Sequence, residues 1–430
     1  MNIKLHGGAN TIGGNCVEVT SETDRILIDF GWPIGSPDDP DFQKKFKGKS
    51  TDELIKAGFI PDIKGLYKGT PLGFTGALLS HSHPDHYGFL SHVNPKLKIY
   101  AHRTTGKIIF AATLFGQAEP IKARILGCEP YSPFPLGGQF TVEPFEADHS
   151  AAGAYSFLVL DKKSKKRLFY SGDIAGHLSN PHMFNKMLNR KWKIDCLLLE
   201  GTNINSSEGL YPSEESVKVG ISKVCSQHAG CIFFACSSQN LTRLHSAYTA
   251  ARTSGRTLVI DPYTAFILKM YEDLPGNSLH YNSRGIKIFF TRSSYTENLL
   301  KYPNLMAKMR RTEITKDEIS SAPGKYILKD SWDMRHSFAS LATQGEKPVL
   351  IYSLWDGYLK RDQQFWNDNK IEIIKIHTSG HAYKKELLKL VTAMRPKLII
   401  PIHTAHKEMY KDLFKDFKVE PHNPGEEFKI

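Results

Sequence analysis

The stretch LLSHSHPDHYGF, residues 78–89, places three histidines and an aspartate directly after a short apolar run. Side chains alternate along an extended segment, so His81 and His83 can point in the same direction. The proline that follows favours a turn, which carries Asp85 and His86 back towards them. Imidazole nitrogens and carboxylate oxygens suit Zn²⁺, with Mn²⁺ as an alternative where oxygen donors are many. The stretch therefore predicts a metal site at the end of a strand.

The number of donors in this stretch also indicates how many metal ions it serves. Four donors so close together exceed what one tetrahedral ion can take while keeping an open position. Two adjacent ions resolve the excess, and paired ions of this kind serve phosphoester hydrolysis. The alternative is a surface cluster of histidines without a metal, but a chain with 18 histidines in 430 residues would rarely produce this pattern by chance.

Composition indicates a globular protein with more than one domain. A chain of 430 residues is long for a single core, so we expect two domains or one domain with a large insertion. No apolar run approaches the roughly 20 residues of a membrane helix. The first residues, MNIKLHGGAN, contain no long apolar segment, so we expect no secretory signal and no membrane partner.

Cysteine usage and net charge suggest a compartment and a class of partner. The six cysteines form no CxxC pair, so we expect buried free thiols in a reducing cytoplasm. The net charge of +12 is compatible with a polyanionic partner such as a nucleic acid, because phosphates are contacted by lysine and arginine. Simple solubility explains the same charge equally well.

Short apolar runs alternate with helical patterns along the chain, which is typical of an α/β fold. The predicted strands are RILID (25–29), GALLS (76–80), RLFYS (167–171), IDCLLLE (194–200), CIFFAC (231–236), TLVID (257–261), PVLIYS (348–353), IEIIKI (371–376) and KLIIPI (397–402). Predicted helices follow the cap Ser213 and cover Leu241–Thr253 and Lys384–Met394. The lysine-rich segment 161–167 is interpreted as a solvated hairpin tip.

Ligand-type side chains recur just beyond the ends of these strands. The residues in such positions are Asp29, His81, Asp173, Glu200 and His403. Strand ends are rigid and their loops open to solvent, which is where α/β folds place functional sites. His149, in EADHSAAG, is a further candidate donor. Each of these residues alone is more often structural, but together they complete the donors for two metal ions.

Several longer motifs resemble a known family. HxHxDH, a later histidine and the SGD at 171–173 resemble the metallo-β-lactamase fold of hydrolases. GLYPSEESV (209–217), SSQNLTRLHSAYTAARTSGRTLVID (237–261) and IHTSGHAYKKELLKLVTAMRPKLIIPIHTAH (376–406) resemble the β-CASP nucleases, particularly RNase J. The similarity runs along nearly the whole chain.

The resemblance implies an α/β architecture, namely a metallo-β-lactamase αββα sandwich with an inserted β-CASP α/β domain. It places the metallo-β-lactamase domain at 1–205 and 372–430 and the β-CASP domain at 206–371. The C-terminal dimerisation domain of RNase J has no match in these 430 residues, so the oligomeric state stays open.

The resemblance also implies roles for the ligand-type residues. One metal takes His81, His83, His149 and Asp173; the other takes Asp85, His86, Asp173 and His403. Asp85, Asp29, Glu200 and His381 are expected to serve catalysis. Asp29 would orient a ligand, and Glu200 would support His381. His381 would stabilise the scissile phosphate or protonate the leaving oxygen.

Two polar turns are candidates for binding phosphate. CSSQNLTR (236–243) offers Ser237, Ser238, Asn240 and Arg243 where a strand leads into a helix. In TSGHA, Ser379 and Gly380 can present a hydroxyl and a backbone N–H. Ordinary helix capping is the alternative for the first turn.

The expected function is a metal-dependent ribonuclease acting on single-stranded RNA, in which two Zn²⁺ ions activate a hydroxide. In the family a histidine at the position of His403 accompanies action on RNA, although DNA stays open as a substrate. Exonuclease and endonuclease action are both compatible with the sequence. The alternatives are a DNA-acting nuclease of the same superfamily, a small-ester metallohydrolase, and a protein that only binds RNA.

Overall fold

The computed structural model describes residues 1–35, 39, 42–178, 181–291, 294–343 and 346–430. The chain forms two compact units. The first unit comprises Met1–Ile109, Ala118–Glu208 and Gly380–Ile430, and the second comprises Phe110–Gln117 and Gly209–Ser379. The expected domain borders, after residues 205 and 371, lie a few residues before the two main changes of unit.

Strands and helices alternate along most of the described chain. The strands are β1 (Asn2–Gly7), β2 (Cys16–Ser21), β3 (Asp24–Ile28), β4 (Gly76–Leu78), β5 (Lys98–Ala101), β6 (Arg124–Gly127), β7 (Phe134–Leu136), β8 (Phe140–Glu146), β9 (Tyr155–Asp161), β10 (Arg167–Tyr170), β11 (Cys196–Glu200), β12 (Ile232–Ala235), β13 (Thr257–Ile260), β14 (Ile286–Ile288), β15 (Tyr326–Lys329), β16 (Val349–Tyr352), β17 (Glu372–Lys375), β18 (Ile399–Ile402) and β19 (Glu427–Lys429). The α-helices are α1 (Thr51–Lys56), α2 (Pro84–Tyr87), α3 (Arg103–Leu114), α4 (Pro181–Leu188), α5 (Glu214–Gln227), α6 (Leu241–Thr253), α7 (Pro262–Met270), α8 (Ser294–Leu299), α9 (Pro303–Arg310), α10 (Lys316–Ser321), α11 (Trp332–Phe338), α12 (Asp356–Asp368), α13 (Lys384–Met394) and α14 (Met409–Leu413). Short 3-10 helices occupy Phe42–Lys45, Leu90–His92, Pro323–Lys325 and Ala339–Thr343.

The first unit is an αββα sandwich built from two sheets. One sheet has the strand order β19-β1-β2-β3-β4-β5-β6, and the other has the order β18-β11-β10-β9-β8-β7. Apolar side chains from the facing sides of both sheets form one core, in which Val19 and Ile28 join Phe157 and Leu198. Helices α4 and α13 cover the outer face of the second sheet, where Leu387 packs in a cluster with the strand residues of that face.

The alternation of side chains along β10, β11 and β18 explains why these strands are continuously apolar. In β11, Leu198 belongs to the core between the sheets, while Leu197 and Leu199 belong to the helix-covered face. Both faces of the strand are therefore buried, and both require apolar residues.

Strand directions bring the predicted site residues to one edge of the second sheet. Strand β11 pairs in parallel with both β10 and β18, so their carboxyl ends lie at the same edge. Strand β8 is antiparallel to β9, which is antiparallel to β10, so β8 also ends at that edge. In the first sheet β3 and β4 are likewise parallel. Loops that leave parallel strands at a common edge can converge on one site.

The second unit contains a six-stranded sheet with the order β14-β13-β15-β12-β16-β17. All of its strand pairs are parallel. Phe233, Leu328 and Leu350 from neighbouring strands share a core with Trp366 of α12. This α/β unit lies in the part of the sequence expected to form an inserted domain.

Several local predictions are confirmed. All nine predicted strands exist, with ends displaced by at most two residues, and α6 and α13 have the predicted bounds. Ser213 caps α5, and the segment 161–167 connects the antiparallel strands β9 and β10. All six cysteines are free and buried. Among the described residues, no helix combines the length and apolarity needed to cross a membrane.

Leu198 provides a test of the packing between the two sheets. Its side chain is fully buried in the core. Leu198→Ala should lower the free energy of unfolding by about 2–5 kcal/mol, because a cavity replaces the side chain. Leu388→Ala, at a position 39% exposed on α13, is the matched control and should have little effect. Urea denaturation of the full chain measures both, and equal losses would contradict the packing described.

Candidate metal centre

The histidine stretch is held in shape by the loop that follows β3. The N–H groups of Phe30 and Trp32 donate to the carbonyls of His86 and Pro84, at 2.7 and 2.9 Å. Gly31 lies between them, and a Cβ atom there would come within 1.6 Å of the Asp85 carbonyl oxygen. Glycine is required at this position because the two backbone segments approach so closely.

The carboxylate of Asp29 is the centre of a buried hydrogen-bond network. It accepts from the Ser80 N–H at 2.8 Å and from the Ser80 hydroxyl at 2.7 Å. It also accepts from His86 Nδ1 and from the Tyr170 hydroxyl, each at 2.7 Å. Because Nδ1 of His86 is engaged in this way, its Nε2 is free to face the site.

Two further imidazoles are anchored through Nδ1 in the same manner. His81 Nδ1 lies 3.0 Å from the Ser80 hydroxyl oxygen, which accepts its proton. His149 Nδ1 donates to the Gly380 carbonyl oxygen at 2.6 Å. Both rings therefore present Nε2 as the lone-pair nitrogen.

The predicted ligands form two clusters that share Asp173. The ligand atoms within each cluster all lie within 4.8 Å of one another. The first cluster contains His81, His83, His149 and Asp173, and the second contains Asp85, His86, Asp173 and His403. These are the same two sets of four that the sequence resemblance implied.

Individual distances show how closely the donors approach Asp173. Its Oδ2 lies 3.2 Å from His86 Nε2, 3.5 Å from His81 Nε2 and 3.8 Å from His149 Nε2. In the second cluster, His403 Nε2 lies 3.1 Å from Asp85 Oδ2.

The donor atoms themselves indicate that this centre fits a metal ion. His81 Nε2, His86 Nε2 and both carboxylate oxygens of Asp173 are buried and have no hydrogen-bond partner. Buried polar atoms without a partner are costly, typically by about 1–3 kcal/mol each. A cation at the centre of these atoms would satisfy all of them. The chemistry of the donor set therefore fits a metal ion.

In the first cluster, electrostatics favour the protonation states that metal ligands require. Burial lowers the pKa of His81 and His149 well below the ordinary value and that of His83 to about 4. These rings are therefore neutral near pH 7 and can donate a lone pair. Burial would raise the pKa of Asp173, but the imidazoles of His403 and His86 outweigh it, so this carboxylate is ionised.

His381 and Glu200 lie beside the two clusters. His381 Nδ1 lies 3.3 Å from Glu200 Oε1. Burial would lower the pKa of His381, but the carboxylates of Glu200 and Asp173 outweigh it and raise the pKa to about 9. Glu200 also accepts the N–H groups of Ile174 and Ala382, each at 3.4 Å, which holds the carboxylate in place.

Four contributing residues were not identified from the sequence. Asn15 donates to the Tyr170 hydroxyl at 2.9 Å, and Tyr170 and Ser80 both bind Asp29. Thr202 contacts His381 and His403 through its hydroxyl. Ser80 and Thr202 lie next to predicted site residues, in SHSH and EGT, so proximity in sequence was an available signal. Asn15 and Tyr170 gave no such signal.

The turn after β12 differs from the predicted phosphate cradle. Ser238 is buried, and its hydroxyl bonds to that of Thr264 at 2.8 Å. Asn240 caps α6 by accepting the Arg243 N–H, which is the capping alternative. Ser237 is exposed, and its hydroxyl accepts the N–H of Gln239 at 3.2 Å.

Arg243 requires a correction, because the structure contradicts its predicted contact with phosphate. Its side chain is 1% exposed and forms two hydrogen bonds with the Glu214 carboxylate, at 2.8 and 2.9 Å. It also donates to the carbonyl oxygen of Ser353 at 3.1 Å. A guanidinium with these partners is a buried structural group and is not available to a ligand.

The second predicted polar turn, TSGHA, is divided by the change of unit. Ser379 is the last residue of the second unit, and Gly380 begins the final segment of the first. Both residues are partly exposed. The Gly380 carbonyl is the acceptor for His149, so this glycine contributes directly to the ligand arrangement. A Cβ there would come within 2.8 Å of Ser150 Oγ.

Comparison with known proteins agrees with this fold. Residues 68–230 match the family model described as beta-lactamase superfamily domain, and residues 369–424 match the Zn-dependent metallo-hydrolase RNA specificity domain. The chain is 21% identical to Ribonuclease J of Mycoplasma genitalium, covering 95% of this chain and 68% of the relative. It is 22% identical to Ribonuclease J of Sinorhizobium meliloti, covering 81% and 62%.

A solved structure shares the complete fold. The crystal structure of a protein of unknown function from Enterococcus faecalis V583 superposes with a TM-score of 0.79 at 20% identity, and the match covers 99% of both chains. This likeness shows the fold, while the two family-model matches show that the chain is similar to metal-dependent hydrolases of the metallo-β-lactamase superfamily. Within that superfamily it is similar to the β-CASP proteins of the ribonuclease J type.

The correction for Arg243 leads to a stability prediction. Arg243→Met should lower the free energy of unfolding by about 3–5 kcal/mol, because it leaves the Glu214 carboxylate buried without its partner. The double variant Arg243→Met, Glu214→Leu should recover much of this loss, since no buried charge then remains. Urea denaturation measures both variants. An arginine that served only to contact phosphate would leave stability unchanged when replaced.

Proposed function

We propose that this chain is a ribonuclease that hydrolyses phosphodiester bonds of single-stranded RNA with two metal ions. The observation that carries the proposal is the pair of four-residue clusters sharing Asp173, with His381 and Glu200 beside them. The similarity to Ribonuclease J and the match to a metallo-hydrolase RNA specificity domain support RNA as the substrate. Cytoplasmic location is part of the proposal, supported by the six free cysteines.

The donor set supports two Zn²⁺ ions, with Mn²⁺ as the alternative. His81, His83 and His149 would hold one ion, His86, Asp85 and His403 the other, and Asp173 could contribute to both. When bound, such a pair of cations lowers the pKa of the attacking water and stabilises the charge that develops on the phosphate oxygens. Asp29 would hold the ring of His86 in the orientation that this ligand set needs.

His381 is proposed as the group that acts on the leaving oxygen. The carboxylate of Glu200 favours its protonated form, so the ring carries a proton to donate. The same positive charge would stabilise the scissile phosphate during attack. Glu200 acts through His381 and is therefore a positioning residue.

The remaining predicted contacts define where RNA would be bound. Ser237, Ser379 and Gly380 keep their proposed role as contacts to phosphate, because each is at least partly exposed. The domain division is also a proposal, with the β-CASP domain corresponding to the second unit.

RNA cleavage by the purified chain tests the proposed function. With Zn²⁺ or Mn²⁺ added, the wild-type chain should degrade a 3′-labelled RNA. Asp173→Asn should abolish cleavage and binding of both metals, because Asp173 belongs to both clusters. Metal content is measured by elemental analysis of the dialysed protein. The RNA is supplied with 5′-monophosphate, 5′-hydroxyl and 5′-triphosphate ends, beside single-stranded DNA of the same sequence.

Each result of this experiment has a defined meaning. Dependence on the 5′ end would indicate exonuclease action, and independence would indicate endonuclease action. Cleavage of DNA alone would contradict RNA as the substrate. A wild-type chain that binds metal but cleaves neither polymer would overturn the nuclease proposal.

Replacing His381 separates chemistry from metal binding. His381→Gln should lower kcat by roughly 10²–10⁴-fold, because a positioned proton donor is lost. Metal content should be unchanged, since His381 belongs to neither four-residue cluster. Glu200→Gln should lower kcat less, because it removes only the supporting charge. The control is His182→Gln, at an exposed position on α4, which should retain wild-type activity. Full activity in His381→Gln would exclude the proposed role.

A further inference from the structure

The hydroxyl of Thr202 lies between two imidazoles of the metal centre. Its Oγ1 is 2.9 Å from His403 Nδ1 and 3.1 Å from His381 Nδ1. The backbone N–H of Thr202 donates to Glu200 Oε2 at 2.9 Å. The backbone of Thr202 is therefore held by the same carboxylate whose other oxygen faces His381.

The position of the proton on His403 follows from its proposed role as a metal ligand through Nε2. Nε2 lies among the ligand atoms, 3.1 Å from Asp85 Oδ2. A neutral imidazole that offers Nε2 to a metal carries its proton on Nδ1. Thr202 Oγ1 is within hydrogen-bond distance of that proton, whereas Asp173 Oδ1, at 3.8 Å from Nδ1, is not.

The proton of the Thr202 hydroxyl has an acceptor in the carbonyl oxygen of His403, 3.4 Å away. His381 Nδ1 lies 3.1 Å from the same hydroxyl oxygen, but in the protonated ring this nitrogen can only donate. A hydroxyl can accept and donate at the same time. A single side chain can therefore fix the ring of a metal ligand and contact the ring proposed to act on the leaving oxygen.

We propose that Thr202 is a positioning residue that holds His403 in the Nδ1–H tautomer and orients its Nε2 towards the metal. This inference rests on the ligand role given to His403 in the proposed function. The hydroxyl is the part of Thr202 that matters. A valine has nearly the same shape but cannot accept the proton of His403, whereas a serine can.

Metal affinity, measured without RNA, tests this role. Thr202→Val should weaken binding of Zn²⁺ by about 10–100-fold, the usual effect of removing a partner of a metal-binding histidine. Thr202→Ser should restore affinity close to that of the wild type. Competition with a chromophoric chelator gives the dissociation constants for the full chain. The control is Thr105→Val, which removes another buried hydroxyl, one that donates to the Gly153 carbonyl at 3.2 Å, and should leave the affinity unchanged.

A second readout reports the tautomer directly. In zinc-loaded protein labelled with ¹⁵N-histidine, the His403 Nδ1–H signal, assigned with His403→Gln, should be protected from exchange with water. This protection should be lost in Thr202→Val and retained in Thr202→Ser.

The outcomes separate this inference from the proposed function. Wild-type protein that binds no metal would overturn both. Metal binding by the wild type with equal affinity and an unchanged His403 signal in Thr202→Val would overturn the role of Thr202 alone. Serine and valine variants that are equally impaired would show that packing of the threonine, and not its hydroxyl, is responsible.

Discussion

The hydrogen bonds to the Asp29 carboxylate are the interaction on which the site depends. Asp29 follows β3 of one sheet, and Tyr170, which donates to it, ends β10 of the other. The same carboxylate holds Ser80 after β4 and His86 in α2. One side chain therefore connects both sheets to the histidine stretch. The buried negative charge is compensated because its bonds are satisfied by donors fixed on rigid elements.

The backbone at two of the site residues adopts an unusual conformation. Asp29 has φ of 57° and His403 has φ of 50°, in the left-handed region that non-glycine residues rarely adopt. Such conformations cost on the order of 1–3 kcal/mol each and persist where surrounding contacts determine them. Here, both residues turn the chain abruptly at the end of a strand. The abrupt turn lets a side chain next to a strand point into the site.

The concentration of buried donors around Asp173 links stability to function. An ionised carboxylate and two imidazole nitrogens, all without hydrogen-bond partners, would be unfavourable in an ordinary core. The arrangement is explained by a cation that satisfies all of these atoms together. Metal binding should therefore also stabilise the folded first unit, because the ligands come from loops widely separated in sequence.

The sequence alone predicted the grouping of residues in the first unit's site better than the contacts of the polar turn in the second unit. The ligands follow strands whose apolar runs are unmistakable, so Asp173, Glu200 and His403 could be placed at strand ends, where parallel strands converge. In the turn after β12, the prediction that Arg243 contacts phosphate was wrong. A serine- and asparagine-rich turn followed by an arginine is equally typical of a helix cap with a buried ion pair. Only the position of Glu214, 29 residues earlier, distinguishes the two cases.

By itself, the sequence determined the α/β class, the principal strands and a set of candidate metal ligands, because periodicity and donor chemistry are local properties and the longer motifs resemble a known family. The tertiary structure decided which atom of each ligand faces the site. Ser80 and Asp29 set the orientations of His81 and His86, Gly380 sets that of His149, and Thr202 contacts His403. These partners come from distant segments, and hydrogen-bond direction depends on their relative positions in space. No pattern along the chain encodes that geometry.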